Sequence, residues 1–239
     1  MGVPASAIWY VDASDPAAVL RSGGPSDLDA AAAIARQLYP GLEPKSVGTA
    51  PISAFAAVTT PRRVLVGCFP GVTVVCSAES AVVQPSTLSE QWVSRVRAER
   101  TYLLAAEAEF AWGAFAEWHG GVLRRSFSAA PSYIHEDEGL PGPWERPFWA
   151  GEHPMQYPDG VMPDPQALPF HPQEFADSAS AHWLGVRMIG AAHEGEIDPL
   201  SVLLCDFMMR DPSESMPQPS APAPEPRKVK RGLFRRKVS

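Results

Sequence analysis

Two short stretches of this 239-residue chain hold the residue types that do acid–base chemistry near neutral pH. FWAGEHPMQY sets Glu152 beside His153, and LPFHPQEFADSASAHW sets out His171, Glu174, Ser178 and His182. The steps of three, four and four in the second stretch put its members on one helical face if His171 begins the helix. An imidazole with an ordinary pKa near 6.5 gives and takes a proton at neutrality, and a carboxylate orients it. Two histidines and a carboxylate also suit zinc or iron, with a position left for water. The candidate catalytic residues are therefore His153, Glu152, His171 and Glu174, in a hydrolytic site with or without a metal. Their use depends on the helix that begins near His171 coming back to meet His153. No HExxH or other common histidine cluster is present, so no metal-ligand set is singled out.

A second chemistry needs no proton transfer. Trp144, Trp149 and Tyr157 lie in a segment rich in aromatic residues and proline, and their rings suit the wall of a small-molecule pocket. The same rings would serve as a lid over the core, with Phe148 and Trp149 buried. Asp12 and Asp15, after the first strand, have the look of a cation or phosphate site, but helix capping by Asp15 accounts for one of them. Cys68, Cys76 and Cys205 lie in apolar strand-like runs and read as buried free thiols, which fits a reducing, cytoplasmic setting. GxGxxG, GxxxxGK[ST] and the nucleophile elbow are absent.

Charge divides the chain. Residues 1–210 carry 13 Lys or Arg and 24 Asp or Glu, and residues 211–239 carry 7 and 3. The acidic body repels nucleic acid, which excludes a dedicated nucleic-acid domain. The last stretch is a proline-rich spacer followed by RKVKRGLFRRKVS, read as a disordered tail whose basic end suits an acidic partner or a membrane surface. Apolar runs fall well short of the roughly 18 to 20 residues of a membrane span.

The elements that must position these groups follow from periodicity. SAIWYVD reads as a first strand, with a short helix after it capped by Ser14 or Asp15. SDLDAAAAIARQLYPG reads as the clearest helix, with Ser26 as its N-cap. PRRVLVGCF and GVTVVCS read as a hairpin turning at Phe69-Pro70-Gly71, followed by a helix carrying Trp92, Val93 and Val96. TYLLAAEAEFAWGAFAEW alternates with period two, which predicts one long strand, buried on one face and bent near Gly113. VLRRSFS is its partner across His119-Gly120-Gly121. Between residues 130 and 170 the pattern lapses, and nine prolines with six aromatic residues predict an ordered excursion that wraps the body. PQEFADSASAHWLG reads as a helix ended by Gly185, and PLSVLLCDFMM as the last strand. The expected fold class is α+β: a single domain over residues 1–210, with a mixed or mostly antiparallel sheet and packed helices.

LYPG at 38–41, GCFPGVTVVC at 67–76, WHGGVLRRSFS at 118–128, ERPFWAGEHP at 145–154 and LPFHPQEF at 168–175 occur together. In combination they resemble an uncharacterised family of actinobacterial proteins, a domain of unknown function, over roughly residues 5–208. The resemblance implies a bacterial, cytoplasmic protein and brings no activity, cofactor or functional residue with it. The leading expectation is a small-molecule-binding or structural module. A hydrolase using the His/Glu site is the alternative, and an adaptor docking through the basic tail is the third.

Overall fold

β1 (Ala5–Val11) is the middle strand of the molecule, with every residue buried. The computed structural model describes residues 4–156, 160, 162 and 164–213. After β1 come α1 (Pro16–Arg21), α2 (Leu28–Leu38), β2 (Glu43–Pro51), β3 (Arg63–Phe69) and β4 (Val72–Cys76). Then follow α3 (Glu90–Val93), β5 (Arg100–Glu107), β6 (Trp112–His119), β7 (Val122–Ala130) and β8 (Tyr133–Gly139). The chain continues through α4 (Arg146–Trp149), α5 (Pro172–Leu184) and β9 (Leu203–Arg210). The nine strands form one sheet in the order β2-β9-β3-β4-β1-β5-β6-β7-β8, and each pairing is antiparallel. The fold is thus a single α+β domain.

Both faces of the sheet are covered. Along β1, Ala7, Trp9 and Val11 point to a layer made by α5, α1 and the Ile52–Ala57 turn, and Ile8 and Tyr10 point to α2 and α3. This overturns the expectation for residues 101–118. They form two strands, with Glu107 opposite Trp112 and a tight turn over Ala108–Ala111 closed by Ala111 N–H to the Ala108 carbonyl. Tyr102 and Leu104 lie on the α5 face, whereas Ala116 and Trp118 lie on the opposite face, in the cluster that holds the residues of α2 and α3. With both faces buried, either parity reads as apolar, so alternation runs through the turn undisturbed. The turn itself, Ala-Glu-Phe-Ala, lacks the residues that usually announce one.

Three further expectations are corrected. Asp27, not Ser26, caps α2 by accepting from Ala30 N–H, and Ser26 Oγ accepts from Cys68 N–H instead. The lapse at 130–170 begins with a real strand, β8, whose polar sequence YIHEDEG suits a sheet edge. β2, at the other edge, is mostly exposed, contains two prolines and is bulged between Ser46 and Gly48. Beyond β8 the chain does wrap the body. Phe148 and Phe170 are buried among Phe115, Phe127 and Phe175, but Trp149 stays 38 % exposed. Arg125 on β7 fastens this wrap, with Nε and Nη2 at 3.0 and 2.8 Å from the two oxygens of the fully buried Glu145.

Glycines shape both ends of α5. A Cβ at Gly113 would run into the carbonyl of Pro172, so its absence lets the first turn of α5 rest on the β6 backbone. Gly185 ends α5 in the left-handed region at φ 71°, as its place in the sequence predicts.

Candidate functional site

His171 is the N-cap of α5, and its Nδ1 accepts from Gln173 N–H at 3.2 Å. A neutral imidazole that accepts at Nδ1 carries its proton on Nε2. Burial holds the His171 pKa below the ordinary value, and the nearby Glu174 charge opposes this without reversing it. Near pH 7 the ring is therefore a neutral donor rather than a base. Gln173 Nε2 donates to the Glu107 carbonyl at 2.8 Å, which ties the start of α5 to the end of β5.

Glu174 reaches one histidine directly and the other by its charge. Its Oε1 lies 3.5 Å from His153 Nδ1, and it is also the acid whose charge reaches His171. The His153 ring is stacked on Phe148 at 4.1 Å between centroids, which sets its plane. Glu152 is exposed on the turn after α4, held by its backbone N–H on the Pro147 carbonyl. The rest of the expected helical face disperses. Ser178 Oγ accepts from Arg187, while His182 stacks on Trp144 at 5.6 Å and takes part in aromatic packing.

The aromatic candidates are engaged with the core. Trp144 packs on Phe115 and Phe175 at 5.4 and 5.5 Å, and Trp149 meets Phe170 edge-on at 5.0 Å. Tyr157 lies outside the described residues, as does the basic tail from residue 214 on.

The sequence reading missed the residues that shape the surroundings of Glu174. Asp177, buried in α5, accepts from the N–H groups of Met188, Ile189 and Gly190 at 2.6, 3.0 and 2.9 Å. Arg187 Nε lies 3.1 and 3.0 Å from the two oxygens of Glu196, which also accepts His193 N–H. These bonds hold the 186–196 loop opposite α5 and leave a cleft of about 330 Å³ lined by His171, Glu174, Arg187, Ile189, Ala191 and His193, among others. A neighbouring hollow of about 380 Å³ shares Gln173 and Ile189 with it and runs past Phe55 to the β5–β6 turn. One signal for Asp177 was present in the sequence. A carboxylate between Ala176 and Ala179, on the buried side of a helix, must find partners there.

Other candidate chemistry is accounted for. Asp12 Oδ1 accepts Glu99 N–H at 2.7 Å and Asp15 Oδ1 accepts Ala18 N–H at 2.9 Å, so both are structural. The three cysteines are free and buried. Burial pushes the Cys68 thiol up to about 11 and raises Cys76 as well, which keeps both protonated at neutral pH and poor as nucleophiles. Among the described residues no three His, Cys, Asp or Glu side chains are placed to share a metal ion, and no helix is long and apolar enough to cross a membrane.

Residues 5–207 match a family described as "Family of unknown function (DUF6928)". No curated protein and no solved structure matches the chain.

Proposed function

This chain belongs to that family of unknown function, and we propose that it is a small-molecule-binding module that holds a small polar ligand in the cleft at the start of α5. The observation that supports this reading is the pairing of a neutral donor, His171, with an acceptor carboxylate, Glu174, less than a turn apart over a floor of Ile189, Gly190 and Ala191. The buried charges around them are already saturated, so they shape the cleft rather than compete for its contents. A ligand with one hydrogen-bond acceptor and one donor or cationic group fits this arrangement. Free buried thiols support a cytoplasmic setting as part of the same proposal.

Titration of the full chain with ethanolamine and with acetamide, followed by amide NMR, tests the reading. Shifts confined to Gln173, Ile189, Gly190 and Ala191 are expected, with roughly tenfold weaker ethanolamine binding in Glu174→Gln through loss of a charge-assisted bond. Shifts elsewhere, or equal binding by the variant, would overturn it.

One contact favours hydrolysis as a second reading. With the Glu174 carboxylate 3.5 Å from Nδ1, the other ring nitrogen of His153, Nε2, is the one open to act as a base on water. Release of nitrophenolate from simple nitrophenyl esters should then fall at least about tenfold in His153→Gln. An unchanged rate would remove this reading and leave the binding module standing.

A further inference from the structure

The β5–β6 turn separates the cleft region from a pocket of different character. This pocket, about 300 Å³, lies between Pro4, the 81–83 segment, Trp112 and the start of β8. Its walls are the side chains of Pro4, Ala81, Val83, Phe110, Trp112 and Ala130. Val83 and Phe110 are 53 % and 56 % exposed, large apolar groups left in water at the rim. Exposed apolar groups that converge on a concavity mark a contact surface more often than scattered ones do. Trp112 gives its indole N–H to Ser128 Oγ at 2.8 Å, so it offers the pocket only its ring.

Two polar groups enter this apolar frame. His135 is pushed below its ordinary pKa by burial and is uncharged at pH 7. Glu107 is the charged one. Its backbone carbonyl is taken by Gln173, while its carboxylate has no hydrogen-bond or ion-pair partner among the described residues. Among the described residues no lysine or arginine lines the pocket. The pocket thus combines aromatic and aliphatic walls with a single negative charge, whereas the α5 cleft sets one cation, Arg187, among the carboxylates of Glu174, Asp177 and Glu196. A carboxylate beside aromatic faces attracts a cation twice, by its own charge and through the rings. The volume lies at the lower end for ligand sites, room for one or two rings.

We propose that this pocket is a separate binding site for a small aromatic or arylalkyl amine, with the ring between Phe110 and Trp112 and the ammonium group on Glu107.

Phenethylamine, phenylethanol and phenylpropionate test the proposal, since they share a ring and differ in the charge of the head group. Each is titrated into the full chain and followed by amide and indole NMR. The expected result is binding in the order amine, alcohol, acid, with shifts at Val83, Phe110, the Trp112 indole and His135. The Glu107→Gln variant should cut amine affinity roughly tenfold and leave the alcohol unchanged. Phe110→Ala, at an exposed position in a turn, should weaken all three. Equal binding of the three probes overturns the proposal, as does the absence of shifts up to about 10 mM. Amine shifts confined to Ile189–Ala191 would move the amine to the α5 cleft and overturn it too, because Glu107 also borders the hollow on that side. Concentration-dependent shifts at Val83 and Phe110 without probe would assign the surface to a second copy of the chain instead. Failure here leaves the α5 cleft untouched, because the two sites are read at different residues.

Discussion

α2 and α5 are helices of 11 and 13 residues on opposite faces of one sheet, and what lies beneath them differs. Under α2 the packing is aliphatic and small, with Ala31, Ala35 and Leu38 against Val64, Val66 and Val75. Under α5 it is aromatic, built from Phe115, Phe127, Phe148, Phe170 and Phe175, and interrupted by buried charge at Arg125, Glu145 and Asp177. Small side chains let α2 lie directly on β3, and α3 covers the rest of that face with Trp92 and Val93. Large rings leave irregular margins, and a charge buried among them must be met by particular partners. Each such charge consequently fixes a segment of chain: Glu145 the wrap that carries His153, and Asp177 the loop that closes the cleft. The face that carries Arg125, Glu145 and Asp177 is the one with the polar cleft.

Variants put this contrast at risk. The largest effect is expected from Glu145→Gln, which leaves Arg125 buried with half its pairing. Urea unfolding should show a loss of up to about 5 kcal/mol, and Arg125→Met added to it should recover part of that loss. If the double variant is no better than the single one, buried charge is not what distinguishes the face. Next, Phe175→Ala should cost about 4 kcal/mol against about 3 kcal/mol for Leu38→Ala, because the ring touches more neighbours. A reversed order would mean that α2 carries the heavier packing. Asp177→Asn should cost about 1–3 kcal/mol and speed hydrogen exchange at Met188, Ile189 and Gly190, with α2 amides unchanged.

The smallest effect is a pH dependence. His171 and His182 both titrate below their ordinary value because burial disfavours their charged form. Below about pH 6.5 the unfolded chain binds more protons than the folded one, so this stability is present above that pH and is lost as pH falls through the folded values. Protonation of His171 Nδ1 also removes the acceptor that caps α5. Exchange at α5 amides should therefore rise between about pH 7 and about pH 5 relative to α2, which has no histidine. Equal rises in the two helices would sink the asymmetry.

Much of the fold was legible from local pattern. β1, the β3–β4 hairpin at Pro70-Gly71, α2 and α5 with its Gly185 terminator all follow from side-chain period and turn chemistry, which act over a few residues. The β5–β6 turn was not legible, because a sheet buried on both faces removes the contrast that alternation depends on. β2 and β8 were missed because edge strands are polar or proline-bearing by necessity. The same limit applied to the site. The use of Glu152 and His153 was made conditional on the helix that begins near His171 coming back to them, and the contact the structure shows is Glu174 with His153, a pairing that sequence spacing does not single out. Asp177 and Arg187 carried no motif, since their partners are backbone N–H groups and a glutamate in a loop that has no period.

The inner strands β1, β3 and β4, the helices α2 and α5, the α+β class and the short helical stretch on which His171 and Glu174 sit were written into the order of residues, because propensity, capping and periodicity are local. Long-range packing settled the rest: that β1 is central, that Gly113 admits the start of α5, and that one side of the β5–β6 turn became polar and the other apolar. Those outcomes depend on which distant groups share a small volume, where a buried charge must find its partner and a backbone must find room.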